Sequence, residues 1–215
     1  MHTPVAPPAY NPTTVPSATK KHDKYYHEDG NIVIQAGDTL FRVWDGVLRR
    51  HAASFPLVDK DGAPNSDEHP LVLHNIASSD FERLLWILYP PVIGQCLATT
   101  STDWTAVLKL SSLFGLVDVR TLAIRELGKL SLDPVEKIAL QQTYAIEKNW
   151  AGDAFVALCT RGPPLEIEEG KKLGIEMTVL VAGAREKLDK WGRKKPEEVL
   201  KIVKEVFDVT VEKAA

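Results

Sequence analysis

Cysteine is scarce in this chain of 215 residues. Cys96 and Cys159 lie far apart and neither has a Cys-x-x-Cys partner, so neither a disulfide framework nor a thiolate metal knuckle is expected. Both are flanked by apolar residues, and buried, reduced thiols are the expectation. Long apolar runs are missing too: none reaches the ~18 residues of a membrane helix, and the N-terminus lacks the apolar core of a signal peptide. Cytoplasmic or nuclear residence is therefore expected. Positive charge is not in excess, with 26 Lys and Arg against 29 Asp and Glu. A dedicated nucleic-acid surface would concentrate cations to neutralise phosphates, so that function class is disfavoured.

Catalytic signatures are also absent. The chain contains no Gly-x-Ser-x-Gly, no phosphate-cradling glycine loop and no His-Glu-x-x-His. Five of the six histidines, His22, His27, His51, His69 and His74, crowd the first third of the chain, with Asp67 and Glu68 nearby. Their spacing fits no compact ligand set, and His69 and His74, five apart, would leave a strand on opposite faces. Scattered histidines, no metal, no cofactor and no enzyme activity are the expectations.

What is present is an ordinary globular composition, 44% hydrophobic and 26% charged, enough for a real core in one domain with an extension or in two small domains. Residues 1–24 differ from the rest: Pro4, Pro7, Pro8, Pro12 and Pro16 stand among Thr, Ala and Ser, which predicts a disordered leader ending in a solvated Lys20–Lys24 edge. Three short strands are predicted, Asn31–Gln35, Thr39–Trp44 running into Asp45–Arg49, and His69–His74. Asp59–Glu68 reads as an exposed loop.

Helices follow. Ser79–Glu82 reads as a capping box opening a helix at Asp80, with Phe81, Leu84, Leu85 and Leu88 on one stripe and Pro90–Pro91 as the stop. An irregular segment leads to a helix opened at Thr102–Asp103, striped by Trp104, Val107, Leu108 and Leu110 and ended by Gly115. Another begins near Asp118, and the two form a hairpin. Asp133 caps a helix with Pro134 at its first position, running to about Lys148. Further helices are expected over Asp153–Thr160, Glu168–Lys190 and Pro196–Phe207. Lys187, Lys190 and Arg193–Lys195 form a basic cluster that reads as a charged joint between helices, with an import signal or a nucleic-acid contact as the alternative. The acids Glu197, Glu198 and Glu205 follow at once.

These pieces resemble a BTB/POZ domain of the divergent type found in many fungal proteins. The matching runs are Asp29–Gln35, then Asp38–Val43 with Gly46–Leu48 and Arg50–His51, then Asp67–Leu73. The most specific is Asp80-Phe-Glu-Arg-Leu-Leu-Trp-Ile-Leu-Tyr-Pro90. Trp104–Leu130 is similar to the family's closing helical hairpin, and Ala157–Gly174 to a helical extension carried by similar fungal proteins. The implied fold is α+β: a small three-stranded sheet capped by helices over residues 25–131, a helical extension over 132–191, and a charged helix and tail over 192–215.

The resemblance implies a protein–protein interaction module that homodimerises or docks onto a partner such as a cullin-type ubiquitin ligase scaffold or a transcriptional corepressor, without catalytic residues. As a substrate adaptor it would set the BTB hairpin on the cullin and hold a target with its C-terminal helices. No zinc finger or helix-turn-helix accompanies it, so sequence-specific DNA binding is not expected. The chain departs from dimeric members where they place an Asp in the first strand and a basic residue near the first helix, carrying Asn31 and Asp45 instead, with Trp44 at a usual His. Ala52–Asp59 also leaves little room for the family's second helix. The candidate interface residues are Val47, Leu48, Trp86 and Tyr89, together with an exposed first strand.

Overall fold

The computed structural model describes residues 19–52, 54–56, 66–189 and 196–210. The proline-rich leader up to residue 18, residues 59–65 of the expected loop and the Arg193–Lys195 cluster lie outside them. Four strands and nine α-helices are found among the described residues: β1 (Lys20–Tyr26), β2 (Ile32–Ala36), β3 (Thr39–Val43), α1 (Asp45–His51), β4 (Leu71–Leu73), α2 (Ser78–Leu88), α3 (Ser101–Phe114), α4 (Val117–Lys129), α5 (Pro134–Thr143), α6 (Gly152–Thr160), α7 (Ile167–Leu173), α8 (Ile175–Asp189) and α9 (Pro196–Phe207). A 3₁₀ turn over Lys148–Ala151 leads into α6. The fold is mixed α and β, a small sheet with helices.

The sheet has four strands rather than the three expected, in the order β1-β3-β2-β4. Its centre is the β2–β3 hairpin, paired in register from Ile32↔Val43 to Ala36↔Thr39. Gly37 turns the hairpin at φ +59°, and Asp38 keeps a negative φ, the pattern of a type II′ turn with glycine first. Both strands bury nearly every residue, so they read as continuous apolar runs rather than alternating ones. β4 lies parallel to β2 and is only three residues long, with His69 and His74 outside it.

The additional strand is β1. It runs parallel to β3 along the sheet edge and begins at Lys20, within the span expected to be a solvated leader. Its register jumps between Lys21 and Tyr26, and the looped-out residues are held by His22, whose Nδ1 accepts from the amides of Lys24 and Tyr25 at 3.2 and 3.1 Å. Lysines suit such an edge because unpaired strand edges are protected by charge. Lys20 faces Asp38 at 3.7 Å and Lys21 reaches Asp67 at 2.8 Å. Without apolar alternation, only tertiary pairing reveals this strand.

α1 ends the second predicted strand at Val43 and turns Asp45–His51 into a helix that buries Leu48. No further helix is found between α1 and β4 among the described residues. α2 begins at Ser78, after Asn75 (φ +61°) reverses the chain and Ile76 buries itself. Its N-cap is Ala77, without a side-chain bond, so the box expected from Ser79 and Glu82 does not form. The capping box forms instead on α3, between Thr100 and Asp103. Gly115 ends α3 in the left-handed conformation, as expected, and Asp133 caps α5 by accepting from Val135 and Glu136.

Two departures shape the extension. α5 stops at Thr143 rather than Lys148, because Ala145 (φ +47°) turns the chain and Ile146 enters the first core, its carbonyl accepting from Gln141 Nε2 at 2.7 Å. The expected helix Glu168–Lys190 is broken at Gly174, whose φ of +79° ends α7 and lets α8 start in a new direction.

Two cores result. The first joins sheet, α1 and the α2–α4 helices, with Phe41 edge-on to Phe81 at 5.0 Å. The second joins α5, α6, α8 and α9, with Phe155 stacked on Phe207 at 4.4 Å. Trp150 packs against both. Cys159 is buried in the second core as expected, whereas Cys96 is exposed in the irregular segment before α3. No described helix is long and apolar enough to cross a membrane.

Candidate interaction surface

The loop from β3 into α1 builds one end of the first core outward. Asn31 and Asp45 meet there in a reciprocal pair: Asn31 Nδ2 donates to Asp45 Oδ1 at 2.8 Å, and the Asp45 amide donates to Asn31 Oδ1 at 2.8 Å. Arg49, one turn along α1, closes on the other carboxylate oxygen. The Asn31 amide, with Arg49 behind it, holds the Asp45 carboxyl below its usual range. Asn31 thus satisfies the first free amide of a helix whose N-cap, Trp44, has no side-chain acceptor.

Trp44 itself points out of the fold and is 39% exposed. His27 stacks on its ring at 4.5 Å and Tyr89 lies against it at 6.3 Å. The Tyr89 hydroxyl donates to the Trp44 carbonyl, and burial, with Asp45 nearby, pushes that phenol up to about 12. Past Tyr89 the chain leaves α2 through Pro90–Pro91 and presents Val92 and Ile93, the latter 96% exposed. Two aromatic rings joined by the bond from the Tyr89 hydroxyl to the Trp44 carbonyl, followed along the chain by solvated Val92 and Ile93, give exposed apolar residues of the kind that anchors protein contacts.

The four residues expected at an interface separate here. Tyr89 belongs to the patch, partly buried against the core. Val47 is half-buried on α1. Leu48 is fully buried, because it is the face of α1 that seals the core, and it is removed from the surface. Trp86 packs partly on the core, its indole 3.4 Å from Glu82 and Arg83 over its ring at 6.0 Å. The strand expected to be exposed is β2, which lies inside the sheet between β3 and β4. Trp44, Val92 and Ile93, all exposed, are not among the expected interface residues, and Trp44 enters the sequence reading only as a departure from dimeric members. Their signal was apolar character where turn residues forbid a helix: Val92 and Ile93 follow two prolines.

The histidines are spread over separate tasks. His22 stacks on Phe41 at 4.8 Å with its Nε2 3.6 Å from Glu82, and His51 lies 3.9 Å from Asp118. Among the described residues no three His, Cys, Asp or Glu side chains are grouped to hold a metal. A cleft of ≈ 530 Å³ separates α3 from α5, with Asp80–Lys109 at one wall, 2.9 Å apart, and Glu136–Lys172 at the other, 3.9 Å apart. Its charges cancel in pairs, so it favours no ligand charge.

The chain matches no protein-family model and no curated protein.

Proposed function

We propose that the chain is a BTB/POZ interaction module with a helical extension, that it assembles homo- or hetero-oligomers, and that it performs no chemistry of its own. The observation that carries this reading is the Trp44–Tyr89 patch with Val92 and Ile93, an exposed apolar surface fixed to the core by the Tyr89–Trp44 bond. The β2–β3 hairpin flanked by β4, with the α3–α4 hairpin packed beyond α2, is in keeping with the resemblance carried by Asp29–Gln35, Asp80–Pro90 and Trp104–Leu130. Light scattering on the purified chain, alone and with candidate protein partners, tests it. A complex that Ile93→Glu abolishes is expected. Complexes indifferent to Trp44, Tyr89 and Ile93 would remove the patch as the interface.

One observation favours a second reading, a substrate adaptor on a cullin-type scaffold: α5, α6, α8 and α9 have a core of their own, so the extension has the means to hold a target while the sheet end docks elsewhere. Binding to a cullin N-terminal domain tests this, and no binding at high micromolar concentration would sink it.

A further inference from the structure

α8 is apolar on two sides. Its inner stripe, Val181, Ala184 and Leu188, is buried in the second core, where α8 packs on α6, α7 and α9. The outward side nonetheless carries Ile175, Val179 and Leu180, exposed by 81%, 64% and 41%. A surface helix normally reserves that side for polar residues.

Along the outward side, Glu176, Leu180, Gly183 and Lys187 recur at i, i+4, i+7 and i+11, the spacing of a helix-packing seam. Gly183 stands in the interior of a helix of 15 residues, where glycine costs about 1 kcal/mol relative to alanine. Nothing in the described fold requires it, since a Cβ there would meet no atom within 4 Å. The hollow it leaves faces solvent beside Leu180.

The seam is complementary to itself when reversed. About a twofold axis between positions 181 and 182, Leu180 of one copy lies opposite Gly183 of the other, a knob over a hollow, and Glu176 lies opposite Lys187 at both ends. Lys187 already holds Glu205 at 3.1 Å, with both side chains about half exposed, and its ammonium has further donors for a second carboxylate. Ile175 and Val179 border the seam on the side away from the core and would be covered with it. A parallel pairing would instead set Glu176 against Glu176 and Lys187 against Lys187.

We infer that α8 is a self-association surface, on which a second copy of this chain packs antiparallel through Leu180–Gly183 and Glu176–Lys187 contacts. It is separate from the Trp44–Tyr89 patch and does not rest on the BTB/POZ reading. One helix pair buries less than a standard interface, so the dimer is weak and forms as concentration rises through the micromolar range.

Sedimentation equilibrium of the full chain over micromolar to near-millimolar concentrations tests it, with circular dichroism to confirm folding. The wild-type mass rises towards twice the monomer value. In an Ile93→Glu background, where the Trp44–Tyr89 patch is disabled, Gly183→Gln, which fills the hollow, and Glu176→Lys, which sets like charges opposite, remain monomeric. The triple swap Glu176→Lys, Lys187→Glu and Glu205→Lys restores opposite charges across the seam and keeps the pair between α8 and α9, so it regains the dimer, and Ile93→Glu alone leaves the α8 contact intact. A wild type monomeric throughout, α8 variants that associate like their parent, or a folded triple swap that stays monomeric would each overturn the inference.

Discussion

The indole of Trp150 lies across α4 at Gly128, where a Cβ would come within 3.0 Å of its Nε1. That nitrogen donates to the Ile124 carbonyl at 3.1 Å. The pair joins the two cores: α4 belongs to the first, and Trp150, in the turn before α6, packs against both. Gly128→Ala should therefore destabilise by about 1–3 kcal/mol, despite alanine's better helix propensity, because the neighbour is a ring held on its other side. Urea unfolding measures it. Adding Trp150→Ala should relieve the clash, making the double variant less destabilised than the sum of the singles.

Asn31 tests the α1 cap. Asn31→Ala should cost about 1 kcal/mol, the usual loss when a helix amide loses its side-chain acceptor. Asn31→Asp should cost more at neutral pH, since it places a second carboxylate 2.8 Å from Asp45. The sign with pH is fixed: protonating either carboxyl removes the repulsion, so the deficit of Asn31→Asp relative to wild type shrinks as pH falls into the carboxylate range. Parallel urea titrations at neutral and acid pH would show whether it does.

Acid stability should turn on two carboxylates. Burial pushes the Asp103 carboxyl up, but Arg83, the Thr100 hydroxyl and the amides of Thr100 and Thr99 outweigh it and hold it at about 2. Arg161, then the Glu166 amide, hold Glu169 at about 2 against a smaller desolvation. Both folded values lie below those of free carboxylates, so each contribution is full above about pH 4 and is lost as pH falls towards 2. Melting temperature should fall over that window, and Asp103→Asn should flatten the fall while lowering stability at neutral pH by about 2 kcal/mol, the scale of a charge-assisted bond. A variant that melts with the wild-type acid slope would exclude Asp103 from this role.

Much of the helical part was legible in the sequence because its determinants are local. Asp133–Pro134 and Gly115 act within one turn, and the Pro196–Phe207 stripe gives its helix to the residue. Elements set by distant partners were not legible. β1 exists because β3 offers it an edge, and α1 follows β3 with only Trp44 between them. Ser79–Glu82 matched a capping box, yet the reversal at Asn75 set the start of α2 two residues earlier. At the candidate surface, periodicity identified apolar residues but not which were covered, so Leu48 and Tyr89 read alike although Leu48 is sealed in the core and Tyr89 abuts an exposed ring.

Leu48 and Ile93 separate folding from binding. Leu48 is fully buried, and truncating it removes packed methyl groups, so Leu48→Ala should destabilise by about 2–5 kcal/mol. Ile93 is 96% exposed in an irregular segment, and Ile93→Glu should change stability by no more than about 0.5 kcal/mol. If the patch of Trp44, Tyr89, Val92 and Ile93 binds the partner, Ile93→Glu should weaken the complex at least tenfold while its melting curve overlays the wild type. Leu48→Ala should reduce binding only in proportion to the fraction unfolded. Calorimetric titration beside thermal melts distinguishes the two, and an Ile93→Glu protein that binds like wild type would move the interface off this patch.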